Sequence, residues 1–175
     1  MVRVLSLLGL LLFMPSAHAL EIPPLVVGAG GGITTAYLNP SLGQVNMSTV
    51  QVEAAAGSKQ LSVEARVGSS IGGGGDKLRA GQSALTVQFD YFYSLMLKSG
   101  LELFDPMNTL FFQGGWSKFR MRLTSGGVDT LSNRASFGYG IGLRRELGSQ
   151  FGVSAEYMRY SADLRAATLN VDFSL

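Results

Sequence analysis

The chain has 175 residues, no cysteine and one histidine, and its formal net charge is +2. That length fits one domain, and 14 basic residues against 12 acidic ones leave no basic stripe of the kind that binds nucleic acid. Without cysteine, an exported form has no disulfide framework, so its stability must come from burial or backbone pairing.

The first segment, residues 1–19, has the layout of a secretory signal peptide. It carries a positive charge at Arg3, an apolar run, Pro15, and the small-residue sequence Ala17-His18-Ala19. The apolar run is about half of the roughly 20 residues that a membrane-spanning helix needs. We therefore expect cleavage after Ala19 and a single domain over 20–175. With no cysteine at the cleavage site, a lipid anchor is not expected.

After residue 24, apolar and polar residues alternate with a period of two, which is typical of β-strands. Eight segments show it: 25–36, 48–57, 60–69, 83–98, 108–122, 134–146, 150–161 and 167–175. The clearest is 83–98. There the pattern places Leu85, Val87, Phe89, Tyr91, Tyr93, Leu95 and Leu97 on one face, and Thr86, Gln88, Asp90, Ser94 and Lys98 on the other.

The connections alternate in length. Those at 37–47, 70–82 and 123–133 are expected to be long loops, whereas 57–59 and 147–149 are tight turns. Short periplasmic turns and longer outer loops are typical of outer-membrane barrels. Two connections depart from this pattern, because 99–107 is long for a periplasmic turn and 162–166 is short for an outer loop.

Strand length distinguishes a membrane barrel from a secreted β-sandwich. Sandwich strands need only about 5 or 6 residues, whereas several segments here alternate for about the 10 residues that a tilted membrane strand requires. Aromatic residues such as Tyr93, Trp116 and Tyr157 lie toward the ends of the apolar faces, as in interfacial girdles. The sequence therefore predicts an all-β, eight-stranded antiparallel up-and-down transmembrane β-barrel.

Several segments resemble a known family. The glycine-spaced aromatics of 137–143, a short turn and the acidic-aromatic run 153–160 resemble the hairpin of strands six and seven in opacity-type, OmpA-like porin-family outer membrane proteins. Residues 61–68 and 110–116 look like the third and fifth strands of that family. The resemblance spans about 25–175, and the hairpin is its most specific part.

The resemblance implies a place in a Gram-negative outer membrane, in contact with outer membrane lipid and lipopolysaccharide. It also implies a C-terminal signal read by the barrel-assembly machinery, which Thr168, Phe173 and Leu175 match. Asn170 stands where the family has glycine, and the last residue is Leu rather than the usual Phe. An unknown extracellular surface partner is a further implication.

The residue inventory argues against most catalytic chemistry. Cleavage after Ala19 removes His18, so serine–histidine hydrolysis, omptin-like proteolysis and zinc sites built on His or Cys lack their ligands or bases. We therefore predict no catalytic residue, no cofactor and no metal ligand, and a non-enzymatic protein.

Charged residues on the faces opposite the apolar ones are predicted to form an ion network inside the barrel. They are Glu53, Glu64, Arg66, Asp90, Lys98, Arg144, Glu156 and Asp172. A glycosidase would use two such carboxylates as acid and base. The structural interpretation is stronger, because an eight-stranded interior is just wide enough to be filled by side chains, and buried charges there must be paired.

Two glycine-rich stretches, 28–32 and 72–75, invite a comparison with dinucleotide-binding loops. Such a loop must lead into an amphipathic helix, yet residues 33–37 continue in β-rich residues. In a small barrel, glycines instead leave room for large interior side chains. The run at 72–75 indicates an outer loop.

Two functional hypotheses remain from the sequence. The first is a closed barrel with a structural or surface-interaction role, including an opacity-like adhesin. The second is a narrow passive-diffusion pore for small solutes. The filled interior of an eight-stranded barrel favours the closed form.

Overall fold

The computed structural model describes residues 23–39, 43–71, 85–125 and 127–175. The predicted leader 1–19 and the glycine run 72–75 lie outside these ranges. Eight strands are present in the described residues: β1 (Leu25–Asn39), β2 (Gly43–Gly57), β3 (Leu61–Ser70), β4 (Leu85–Glu102), β5 (Asn108–Ser125), β6 (Val128–Glu146), β7 (Phe151–Ser161) and β8 (Leu164–Ser174). Within the same ranges, no helix is long and apolar enough to cross a membrane.

The strands form one closed barrel in which each strand pairs antiparallel with its neighbours in sequence. Pairing of β1 with β8, from Val26↔Ser174 to Ala36↔Leu164, closes it. Closure leaves no open sheet edge across the bilayer, where lipid could not satisfy free backbone groups. The predicted fold class is confirmed.

The outer ends of several strands extend further than the sequence predicts. Most of the loop predicted at 37–47 belongs to strands, because β1 continues to Asn39 and β2 begins at Gly43. The loop predicted at 123–133 is likewise shorter, since only residues 126–127 join β5 to β6. Gly127 has the positive φ of +81° that such a turn favours. Beyond the bilayer neither face must be apolar, so a strand continues there without the alternation that would reveal it.

The face predicted for the start of β4 is wrong. Val87 and Phe89 point into the barrel and are almost fully buried, whereas Tyr91, Tyr93 and Leu95 lie on the outside. The pairing of β4 with β5 shifts register between Phe89 and Tyr91, which makes Asp90 an extra residue in the strand. Such a bulge exchanges the two faces, and a constant period of two cannot detect it.

Candidate functional site

Five of the predicted interior charges meet in one cluster, here called the lumen cluster: Glu53, Glu64, Arg66, Lys98 and Glu156. Arg66 lies at its centre with a fully buried side chain. Its Nε lies 3.6 Å from Glu53 and also contacts Glu64, and its Nη2 lies 2.7 Å from the Glu156 carboxylate. The five inward side chains of the lumen cluster come from four strands, two from β3 and one each from β2, β4 and β7.

Lys98 is the second cation of the lumen cluster. Its Nζ contacts Glu64 and lies 3.2 Å from Glu156, and it sits 4.5 Å above the centre of the Phe111 ring. Carboxylate oxygens of the three glutamates lie within 4.8 Å of one another, close enough to hold a cation. Arg66 and Lys98 supply that positive charge, because each contacts more than one of the glutamates.

Neutral amides that the sequence analysis did not assign to the interior network complete the hydrogen bonding. The Gln113 carbonyl oxygen accepts from Arg66 at 2.9 Å, and its amide donates to Glu156 at 3.1 Å. Gln51 donates to Glu53 at 3.4 Å and to Asn170 at 3.0 Å. All three amides share the inward side of their strands with the charges. That alternation was the signal that could have found them.

Glycines on β1 make room for this polar layer. A Cβ at Gly30 would lie 1.8 Å from Oδ1 of Asn170, and one at Gly28 would lie 2.7 Å from Oδ1 of Asp172. Asn170, which departs from the glycine of the family signal, therefore occupies space left open by Gly30 on the neighbouring strand. Gly28 and Gly30 of β1 therefore serve the packing of interior side chains.

The other three predicted charges lie outside the lumen cluster. Arg144 pairs with Asp172 at 3.2 Å nearer the end of the barrel that holds the short β2–β3 and β6–β7 turns, here called the periplasmic end because short turns are typical of that side. The interior position predicted for Asp90 is wrong. The bulge places its carboxylate beside outward residues of β5, 3.7 Å from Arg120 and 3.2 Å from Arg122.

The opposite half of the interior, here called the extracellular half, is mainly apolar, which the polar-inside pattern did not predict. Phe89, Phe92, Phe119 and Tyr160 pack ring against ring, with the Phe119 and Tyr160 centroids 5.0 Å apart. This group is called the aromatic plug. Met47, Met96 and Met158, each about 1% exposed, fill the space around it.

Two cavities open at the ends of the barrel. The periplasmic cavity, about 300 Å³, is lined by Glu53, Lys98 and Arg144, and the extracellular cavity, about 570 Å³, is lined by Val87, Phe119 and Met121. Among the described residues, none lines both. The lumen cluster and the aromatic plug lie between the cavities and separate them.

The arrangement of the carboxylates does not suit a glycosidase. Glu64 and Glu156 have side chains that are at most 1% exposed, and both are ion-paired with Arg66 and Lys98. A glycosidase needs its two carboxyl groups to flank a glycosidic bond, with room for a water molecule. Paired and enclosed side chains meet neither requirement.

The residues of the predicted C-terminal assembly signal lie on both faces of β8. Thr168 is buried in the interior. Phe173 faces outward and packs edge-on against Phe151, with centroids 5.1 Å apart. The Leu175 backbone amide donates to the Leu25 carbonyl at 2.9 Å, which extends the seam between the two ends of the chain.

Comparison with solved structures shows the same fold in small outer-membrane barrels. Neisserial surface protein A is 15% identical, with a TM-score of 0.59, 86% of this chain and 96% of that chain being covered. The N-terminal barrel domain of Pseudomonas aeruginosa OprF is 10% identical, with a TM-score of 0.61 and coverage of 89% and 100%.

Ail, the attachment invasion locus protein of Yersinia pestis, is 12% identical, with a TM-score of 0.59 and coverage of 89% and 100%. Ail has also been solved in complex with the heparin analogue sucrose octasulfate. Among curated proteins, none matches the sequence at a significant level.

The family model of the outer membrane protein beta-barrel domain matches residues 5–175, nearly the whole sequence. The closed eight-stranded barrel agrees with it, as does the apolar outer wall, where Leu95, Phe137 and Val171 are each more than half exposed. The chain therefore belongs to the outer membrane β-barrel protein family.

Proposed function

We propose that this protein is a closed, non-enzymatic barrel of the Gram-negative outer membrane that acts through its wall and its extracellular surface. The observation that carries the proposal is the filled middle of the barrel. Phe119, Tyr160, Glu64 and Arg66 are at most 3% exposed and lie between the two cavities. Burial of these side chains between two separately lined cavities supports a barrel without a continuous water path for a solute.

Conductance in planar lipid bilayers tests closure. We expect the refolded protein to give no steady channels, and its folded state can be checked by faster migration of the unboiled protein on a gel. The two cavities favour the alternative of a narrow diffusion pore, because they leave only the middle of the barrel to be opened. Steady ohmic channels from the folded protein would support that pore and contradict the closed barrel.

The surface role is supported by the shape of the extracellular end. Pairing of β5 with β6 continues to Ser125↔Val128, whereas pairing of β6 with β7 begins only at Tyr139↔Arg159. The outer parts of β4, β5 and β6 therefore stand above the β7–β8 turn. β5 carries Lys118, Arg120 and Arg122 on its outward face, and the two carboxylates beside them, Asp90 and Asp129, pair with the arginines. Three cations against two carboxylates leave a net positive surface with Lys118 outside these ion pairs, which suits a polyanion such as the heparin analogue bound by Ail.

Retention on immobilised heparin tests this adhesin-like role. We expect binding that weakens with salt and that falls in the triple variant Lys118→Gln, Arg120→Gln, Arg122→Gln. An Arg145→Gln variant, changed at the periplasmic end of the same wall, is the matched control. Equal retention of all three proteins would contradict a role of this surface in polyanion binding.

The biogenesis route is also part of the proposal. Export with cleavage after Ala19 and recognition of Thr168, Phe173 and Leu175 by the barrel-assembly machinery would deliver the domain to the membrane. Mass spectrometry of protein from outer-membrane fractions would give the mature N-terminus, expected at Leu20.

A further inference from the structure

A row of outward side chains crosses four adjacent strands near the extracellular end of the wall. Register pairs place Tyr139 beside Arg159, Arg159 beside Arg165, and Arg165 beside Thr35. Tyr37, two residues further along β1, lies under the Arg165 guanidinium, 5.1 Å from its ring centre. Arg159 donates from Nη1 to the Tyr139 hydroxyl at 3.4 Å.

The two arginines of this row are directly opposed across β7 and β8. Like charges in that position destabilise a sheet unless a counter-charge lies between them. Among the described residues, no carboxylate lies within salt-bridge distance of either one, although Asp163 is only two residues from Arg165. The Arg165 Nε is also shielded from solvent and has no hydrogen-bond partner in the described part of the chain.

The row lies where the apolar part of the wall ends. Toward the periplasm, the outward residues after Arg165 on β8 are Ala167, Leu169, Val171 and Phe173. From Arg165 to Leu175 the strand rises by roughly 33 Å at about 3.3 Å per residue. A tilt of about 40° reduces that to about 25 Å, the usual height of the apolar band of such barrels. The arginines therefore lie at the level of the outer headgroups.

We propose that Arg159 and Arg165 form a binding site for a phosphate group of lipopolysaccharide in the outer leaflet, with Tyr37 and Tyr139 on either side. A lipid phosphate supplies the missing counter-charge between the guanidinium groups, and guanidinium binds phosphate through two parallel hydrogen bonds. The acyl chains below that phosphate lie along Leu169 and Val171. A soluble anion has no such apolar contact, so the geometry favours the lipid.

The inference rests on the proposed membrane location but not on closure of the lumen. It is tested by titrating the folded protein, in a sugar-based detergent, with diphosphoryl lipid A. At each lipid A concentration, samples are heated to a series of temperatures and run on a gel. The temperature at which the faster-migrating folded band disappears is the quantity measured. We expect lipid A to raise that temperature. The double variant Arg159→Gln, Arg165→Gln should need about tenfold more lipid A for half of the rise, as expected from losing hydrogen bonds to a charged group.

Matched samples separate the explanations. Arg145→Gln, on the same wall at the periplasmic end, should titrate like the wild type, and each single variant should show part of the loss if the double variant does not fold. Equal titration of wild type and double variant would overturn the site. An equal effect of fully dephosphorylated lipid A, or of inorganic phosphate alone, would overturn the assignment to a lipid phosphate. Channel activity would contradict the closed barrel and leave this titration unchanged.

Discussion

The two halves of the barrel interior are filled in different ways. The periplasmic half holds the lumen cluster, in which Arg66 contacts three glutamates. The extracellular half holds the aromatic plug and its methionines. Removing one member of an ion network leaves buried charges without partners, whereas an apolar cluster loses only the area and contacts of the deleted atoms. The stability of the periplasmic half therefore depends on particular ion pairs, whereas the stability of the extracellular half depends on how well its side chains fill the space.

Loss of Arg66 should break the charged half most strongly. Replacing Arg66 with Leu leaves three glutamates with Lys98 as their remaining cation in the lumen cluster, and we expect the free energy of unfolding to fall by about 3 to 5 kcal/mol. Urea unfolding followed by the fluorescence of Trp116, the chain's only tryptophan, measures it. Arg66→Lys is the control, and it should lose less because it keeps the charge. Equal midpoints for Leu and wild type would contradict the network.

Truncation of the plug tests the apolar half. Replacing Phe119 with Ala removes a ring that contacts Phe89, Phe92 and Tyr160, and we expect a loss of about 3 kcal/mol, with the value set by how far the neighbours collapse. Phe119→Leu should recover part of it. The variant should stay closed in planar bilayers, because the lumen cluster still blocks the lower half. Open channels in Phe119→Ala would show that the plug alone closes the barrel.

The contrast also explains what the sequence could predict. Alternation over long segments predicts the barrel, and the inward charges of β2, β3, β4 and β7 follow from the same period. The apolar interior could not be predicted in this way, because Phe92 and Met158 look like breaks in a polar face. Asp90 was misplaced because one bulge residue reverses the parity of the strand before it. These failures arise where packing, rather than exposure to lipid, decides the residue type.

Substitution of an inward glycine of β1 should lower stability less than the two changes above, and it tests the packing of the charged half. Replacing Gly30 with Ala forces a methyl group against Asn170 and the Leu169 carbonyl, and we expect a loss of about 1 to 3 kcal/mol by overpacking. Gly31→Ala is the matched control, since its Cβ faces outward and its nearest neighbour is the Thr49 carbonyl at 3.2 Å. The urea midpoint of Gly30→Ala should be the lower of the two. The reverse order would show that the interior has room at Gly30.

The smallest effect is expected at the mouth of the charged half. Arg144 has a partly exposed side chain, and its partner Asp172 is nearly buried but also lines the periplasmic cavity. Water that enters this cavity in place of the guanidinium can hydrate the Asp172 carboxylate, so replacing Arg144 with Leu should cost only about 1 kcal/mol. Insertion should be normal on unboiled gels, because the change does not touch the lipid-facing wall. Conductance should stay absent, because the lumen cluster and the plug remain in place. Channels in Arg144→Leu but not in Arg144→Lys would instead make this ion pair the gate, and would move the barrier from the filled middle to the periplasmic end.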